Sequence, residues 1–167
     1  MVTKRQLAEW IKRIPRLWVL AHRVYRQFQP WRTIGAVGVV VNTEGKVLIV
    51  EHVFHPTYPW GLPGGWMGRH ENPDETVQRE VLEETGLHVK VIRPLLVEHT
   101  PYLPRHIDLS YLCLLEDTSP EIHLSSELLS YRWLSFDELA EMPRFHQRTF
   151  AAAKEAWHSL NASTPHS

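Results

Sequence analysis

The stretch GWMGRHENPDETVQREVLEETGL, residues 65–87, decides how the rest of the chain is read. Its second half is punctuated as a helix. Asn72 is a good N-cap, Pro73 suits the first helical position and Glu75 completes a capping arrangement with Asn72. The helix is expected to run to about Thr85, with Gly86 as the left-handed residue after it. At about 100° per residue, Glu80, Glu83 and Glu84 then share one face. No Lys or Arg stands four residues beyond any of them, and Arg79 alone cannot neutralise three carboxylates. An external cation is one answer, and oxygen-only ligands suit a hard ion such as Mg²⁺ or Mn²⁺. The bland answer is an ordinary solvated acidic face.

The residues before this helix add a second clue. In LPGG, residues 62–65, glycines let backbone groups approach a ligand closely. A glycine turn near a helix N-terminus is a natural neighbour for phosphate. Upstream, IGAVGVVVN and KVLIVEH read as two strands of a hairpin joined at TEG. FHPTYPWGLPGGW, rich in Pro and Gly, reads as a loop that is neither helix nor strand. Downstream, LHVKVIRPLLVEHT reads as one or two strands, HIDLSYLCLLED as another and YRWLSF as a short one. SFDELAEM reads as a capped helical turn. Residues 145–160 read as a closing helix through Phe150, Ala153, Trp157 and Leu160. Strands with a mid-chain and a C-terminal helix imply a sheet covered on both faces.

The chain has 167 residues and 43% hydrophobic and 22% charged content, enough for one domain with a sizeable core. Its single cysteine, Cys113, sits in an apolar run, which excludes a disulfide scaffold and fits a reducing compartment. No secretory signal pattern or membrane-length apolar run is present, so a cytoplasmic protein is expected. Residues 1–32 carry eight Lys/Arg against Glu9 alone. Leu7, Ile11, Ile14, Trp18, Ala21, Tyr25 and Phe28 recur at helical spacing there, interrupted at Pro15 and ended by Pro30. The expected organisation is a basic amphipathic helical leader (1–30), a main folded domain (31–160) and a polar tail (161–167). Packing on the body or in a homodimer is favoured for the leader over contact with a membrane surface or a nucleic acid.

The spacing in the opening stretch is specific. Gly65, five residues, Glu71, seven residues, Arg79-Glu80, Val81, Leu82, Glu83-Glu84, Thr85, Gly86 and Leu87 follow in order. This resembles the Nudix box, G-x5-E-x7-R-E-U-x-E-E-x-G-U with U aliphatic, and every fixed position is filled. The resemblance covers about residues 33–145. It implies a Nudix fold, an α/β/α sandwich around a mixed sheet. It also implies a metal-dependent pyrophosphohydrolase acting on a nucleoside diphosphate linked to another moiety, of ADP-ribose or nucleotide-sugar type. Glu80, Glu83 and Glu84 would ligate Mg²⁺ or Mn²⁺, joined by the Gly64 carbonyl. Glu71 and Arg79 would form a supporting salt bridge. Glu127, six residues before Trp133, would be a base or extra ligand; a box glutamate could serve instead. Thr76 and Val77 depart from the small alanines frequent in the family.

Other residues carry competing readings. Tyr58, Trp60 and Trp66 could stack a base, or pack the loop, and Gly65 could approach substrate. His52, His55, His99 and His106 flank the expected site, with a polar loop or strand-edge role the default. Glu98 and Asp108 are read as satisfied strand groups. Pro101 and Pro104 fit a family marker proline only loosely. Nucleoside triphosphate hydrolysis, removal of pyrophosphate from RNA 5′ ends and non-catalytic nucleotide sensing are the rival functions. The retained box glutamates argue against the last.

Overall fold

The computed structural model describes residues 15–27, 31–55, 57–100, 103–116, 121–142 and 144–163. The chain divides into two compact units, Met1–Trp31 and Arg32–Ser167. In the first, the described element is helix α1, Pro15–Gln27. Pro15 is its first residue, a position where the missing N–H costs nothing. Leu7, Ile11, Ile14, Phe28 and Pro30 lie outside the described residues.

The second unit is built on a seven-stranded mixed sheet. Strands β1 (Thr33–Val41) and β2 (Val47–His52) run antiparallel from a tight turn. There the Asn42 carboxamide accepts from the N–H groups of Glu44 and Lys46 at 3.0 and 2.9 Å, and Gly45 takes a φ of 74°. The two strands then part. Between them sit β3 (Trp60–Gly61), paired with β2, and β4 (Gly64–Trp66), paired with β1. The Pro/Gly segment expected to lack strand is therefore corrected. Its two short strands have no periodicity of their own and are extended by pairing with their neighbours. β5 (Val89–His99) is one strand with two register shifts, and it pairs antiparallel with β6 (His106–Leu115). β6 lies parallel to β1 from Thr33↔His106 to Val41↔Leu114. β7 (Leu128–Leu134) closes the outer edge of β2.

Alternation along these strands builds two cores. Ala36, Val40, Leu48, Val50 and Cys113 face helix α2 (Pro73–Thr85) and bury Val77 and Val81 with it. Val39, Val41, Val47, Ile49 and Leu112 face helix α3 (Arg144–Ser163) and bury Phe150, Ala153 and Ala156. Two helices on opposite faces of one mixed sheet make an α/β/α sandwich. Gly38 lets α2 sit close: a Cβ there would lie 3.0 Å from a Val77 methyl. SFDELAEM forms the expected turn, as a short 3₁₀ helix at Glu138–Glu141. α3 continues to Ser163 rather than stopping near Leu160.

Two histidines meet at the open end of the sheet. A Cβ built on Gly61 would lie 3.4 Å from His52 Nε2 and 3.5 Å from His146 Nε2. Burial pushes both imidazoles down to about 4. A folded-state value below the unfolded one stabilises the fold at pH above about 6.5, and that stability is lost as pH falls from 6.5 towards 4. Acidification from pH 7 to 5 should therefore cost on the order of 2 kcal/mol for each imidazole. Urea unfolding of wild type and His146→Gln at the two pH values measures it. The variant should lose less stability than wild type, and equal losses would remove this account.

Candidate active site

Helix α2 positions the acidic cluster, and its ends are set locally. The Asn72 N–H donates to the Glu75 carboxylate at 2.7 Å. At the other end Gly86 adopts φ 74° and donates to the Leu82 carbonyl at 2.8 Å. Between these ends the glutamates at i, i+3 and i+4 come to one face, as their spacing requires.

Arg79 is the hub. Its guanidinium takes both oxygens of Glu71, Nε to Oε1 at 2.8 Å and Nη2 to Oε2 at 3.0 Å. Nη1 donates to Glu80 at 2.8 Å and to Glu83 at 3.0 Å, and Nη2 donates to the Trp66 carbonyl at 3.3 Å. The Arg79–Glu71 brace was expected. Engagement of Glu80 and Glu83 was not, and it corrects the idea that these carboxylates lack a helical partner. Glu71 also accepts from the Gly68 N–H at 2.9 Å and the Thr76 hydroxyl at 2.8 Å. Thr76, which departs from the small alanines frequent in the family, is part of this brace. The Arg79 hydrogen bond and these donors hold the Glu71 carboxyl down at about 2.

Glu84 stands apart from Arg79. It is buried, and its partner is the Gly64 N–H at 2.9 Å. Burial pushes its carboxyl up to about 7 despite that bond, and the charges of Glu80, Glu127 and Glu83 add to the rise. Burial also raises Glu80. Glu127 is brought into this field by its segment: the Ser125 N–H donates to the Glu84 carbonyl, and the Glu127 carbonyl accepts from Val53 N–H, both at 2.9 Å. Three carboxylates, Glu71, Glu80 and Glu83, thus share one guanidinium, and Glu84 lies beside them without it.

The two glycines of the turn differ in what they admit. Gly64 has a φ of 152°, and a Cβ on it would fall 2.4 Å from the Ala36 carbonyl oxygen. On Gly65 a Cβ would fall 2.4 Å from the Glu80 carboxyl carbon, a side chain that can move. Gly64→Ala should therefore cost at least 3 kcal/mol of stability as an order of magnitude, through strain and backbone clash together. Gly65→Ala should remain folded with Glu80 displaced. Thermal unfolding of the pair checks this, and similar midpoints for the two would contradict it.

Among the described residues, no three His, Cys, Asp or Glu side chains converge as they stand into a ligand set. Glu80 and Glu83 are turned to Arg79, and Glu84 to the Gly64 N–H. Trp60 is not brought to the cluster. It packs with the core under α3, and Arg132 lies 4.2 Å from its ring centroid. Tyr58 is partly exposed. Trp66 is exposed and lies 5.5 Å, ring to ring, from His106. His106 itself bonds Thr33 at 2.6 Å and Asp108 at 3.0 Å, and Glu98 pairs with Arg148 at 2.6 Å. These groups are the satisfied strand polar groups expected. Pro101 lies outside the described residues. Arg132 and His146 carried no signal in the sequence, because only the folded sheet brings them to Trp60 and Gly61.

Fold and site together place the chain among α/β/α sandwich domains whose carboxylate-bearing helix lies against a Gly-Gly turn. The chain belongs to the Nudix family: the family model described as NUDIX domain matches residues 31–154. It is 36% identical over 117 residues to Nudix hydrolase 6 of Arabidopsis thaliana, covering 66% of this chain and 41% of that protein. The chain thus spans less than half the length of that curated relative. Its fold is similar to a UDP-X diphosphatase (TM-score 0.65, 19% identity, 96% of this chain and 73% of that one). It is also similar to an ADP-ribose pyrophosphatase of Streptococcus suis (TM-score 0.60, 23% identity, 81% and 96%).

Proposed function

We propose that this chain hydrolyses the diphosphate bond of a nucleoside diphosphate linked to another moiety, with Mg²⁺ or Mn²⁺ held by α2. The carrying observation is Glu84, a buried carboxylate beside Glu80 and Glu83 whose proton burial retains up to about 7. Such a group gains from a divalent cation what water and Arg79 do not supply. The donor chemistry fits: oxygen ligands only, from Glu80, Glu83, Glu84 and the Gly64 backbone. Bound there, the cation would withdraw charge from phosphate oxygens and acidify a water.

The residues divide the remaining work. Arg79 and Glu71 brace the turn and the helix and aim Glu80 and Glu83. Gly65 keeps the space beside Glu80 open to a phosphate. Glu127, Glu83 or Glu84 accepts the proton of the attacking water. Tyr58, which is exposed, contacts the group beyond the phosphates. The ADP-ribose or nucleotide-sugar class is favoured, because the two solved relatives named above act on ADP-ribose and on UDP-X.

The test is a panel of ADP-ribose, a UDP-sugar, a nucleoside triphosphate and 5′-triphosphate RNA, each with Mg²⁺ or Mn²⁺, scored by products. AMP with ribose 5-phosphate, or UMP with a sugar phosphate, supports the reading. Cleavage of the triphosphates alone would move the function to the rival enzyme classes. Binding without cleavage of any member would make the chain a sensor.

A further inference from the structure

Helix α1 has two chemically different sides. At about 100° per residue, Leu20, Val24 and Tyr25 fall on one side, roughly opposite Arg23 and Arg26, with the exposed Val19 as an exception between the two arginines. The apolar members are exposed, Leu20 at 56%, Val24 at 51% and Tyr25 at 60%, and so are both arginines. An exposed apolar strip beside positive charge needs an occupant that answers both. No acidic residue occurs in α1, and Glu9 is the one acid in residues 1–32 against eight Lys/Arg. A second copy of the helix would answer the apolar side but leave the arginines, which lie opposite it, without an acidic partner. RNA would answer the charge but leave the aliphatic strip in water.

We propose that α1 binds the surface of an anionic membrane. Leu20, Val24 and Tyr25 enter the boundary between headgroups and acyl chains, and Arg23 and Arg26 lie among the anionic headgroups. Tyr25, with an apolar ring and a polar tip, suits that boundary. At 13 residues the helix is short of the ~20 needed to span a bilayer. No helix among the described residues is long and apolar enough to cross one. Attachment is therefore peripheral, reversible and sensitive to salt.

Co-sedimentation of the full chain tests this, with vesicles of phosphatidylcholine alone and of phosphatidylcholine with phosphatidylglycerol. The chain should pellet with the anionic vesicles only, and salt should release it. Arg23→Gln with Arg26→Gln should weaken binding about thirtyfold, at about fivefold per charge. Leu20→Ser with Val24→Ser should abolish it. Thermal unfolding of each variant checks that the rest of the chain is intact. The proposal is overturned if the full chain stays in solution with anionic vesicles at low salt, whether it then sediments as a dimer or binds single-stranded RNA. It is also overturned if the variants bind as wild type does.

Discussion

Glu84→Gln should lose hydrolysis by about a thousandfold or more, as expected when a charge that serves the transition state is removed, while the protein becomes no less stable. The two effects have one source. Glu84 is buried within reach of the charges of Glu80, Glu83 and Glu127, and its carboxyl sits at about 7 instead of its ordinary 4.5. A raised carboxyl means that the ionised form is penalised in the fold. Stability contributed by the neutral form is present at low pH and is lost as pH rises from about 4.5 through 7. Above pH 7 that penalty is on the order of 3 kcal/mol. A carboxamide has the same shape, still accepts from the Gly64 N–H and removes the charge. Urea unfolding without added metal should therefore show the variant equal to or more stable than wild type, and more so at pH 8 than at pH 5. With Mg²⁺ or Mn²⁺ the order should reverse, because the ion stabilises only the chain that binds it. Wild-type turnover in Glu84→Gln would end the proposed role, and a large loss of stability at pH 8 would end the electrostatic account.

Much of this site was legible because its signals are local. The caps at Asn72 and Gly86 are short-range backbone devices, so the helix was placed at its observed ends. The spacing of Glu80, Glu83 and Glu84 fixes their common face, whatever surrounds it. The apolar run through Val39, Val40 and Val41 likewise read as a strand, and the structure sorts these residues into the two layers. What was not legible depends on partners distant in the chain. Trp60–Gly61 and Gly64–Trp66 are strands only because β1 and β2 diverge and leave edges to pair with. The pairing of Arg79 with Glu83 crosses one helical turn in the less familiar order, basic residue first. A search for Lys or Arg beyond each glutamate passes over it. Trp60 looked available to stack a base because nothing in the sequence brings Arg132 to its ring. The proposed metal ligands show the same limit. Spacing puts three carboxylates on one face, but Arg79 and Gly64 decide where their oxygens point.

Arg79→Lys therefore tests more than a conserved charge. The guanidinium makes five hydrogen bonds here: two to Glu71, one each to Glu80 and Glu83, and one to the Trp66 carbonyl. An ammonium has three donors and no planar fork, so it cannot hold Glu71 by both oxygens and still reach the other two. The turn carrying Trp66 would lose one of its ties to α2, and Glu80 and Glu83 would lose their common aim. Activity should fall about a hundredfold, the scale for groups that orient ligands rather than bind the reacting atoms. Stability should fall by about 1–3 kcal/mol, since the pair is only partly buried. Glu71→Gln removes the other half of the brace and should cost a similar amount. If the two residues act as one device, the double variant should be hardly worse than either single one, in activity and in metal affinity measured without substrate. Independent roles would instead multiply the two losses to about ten-thousandfold. That result would mean Arg79 contacts the substrate itself, and it would move the residue from bracing the site to binding in it.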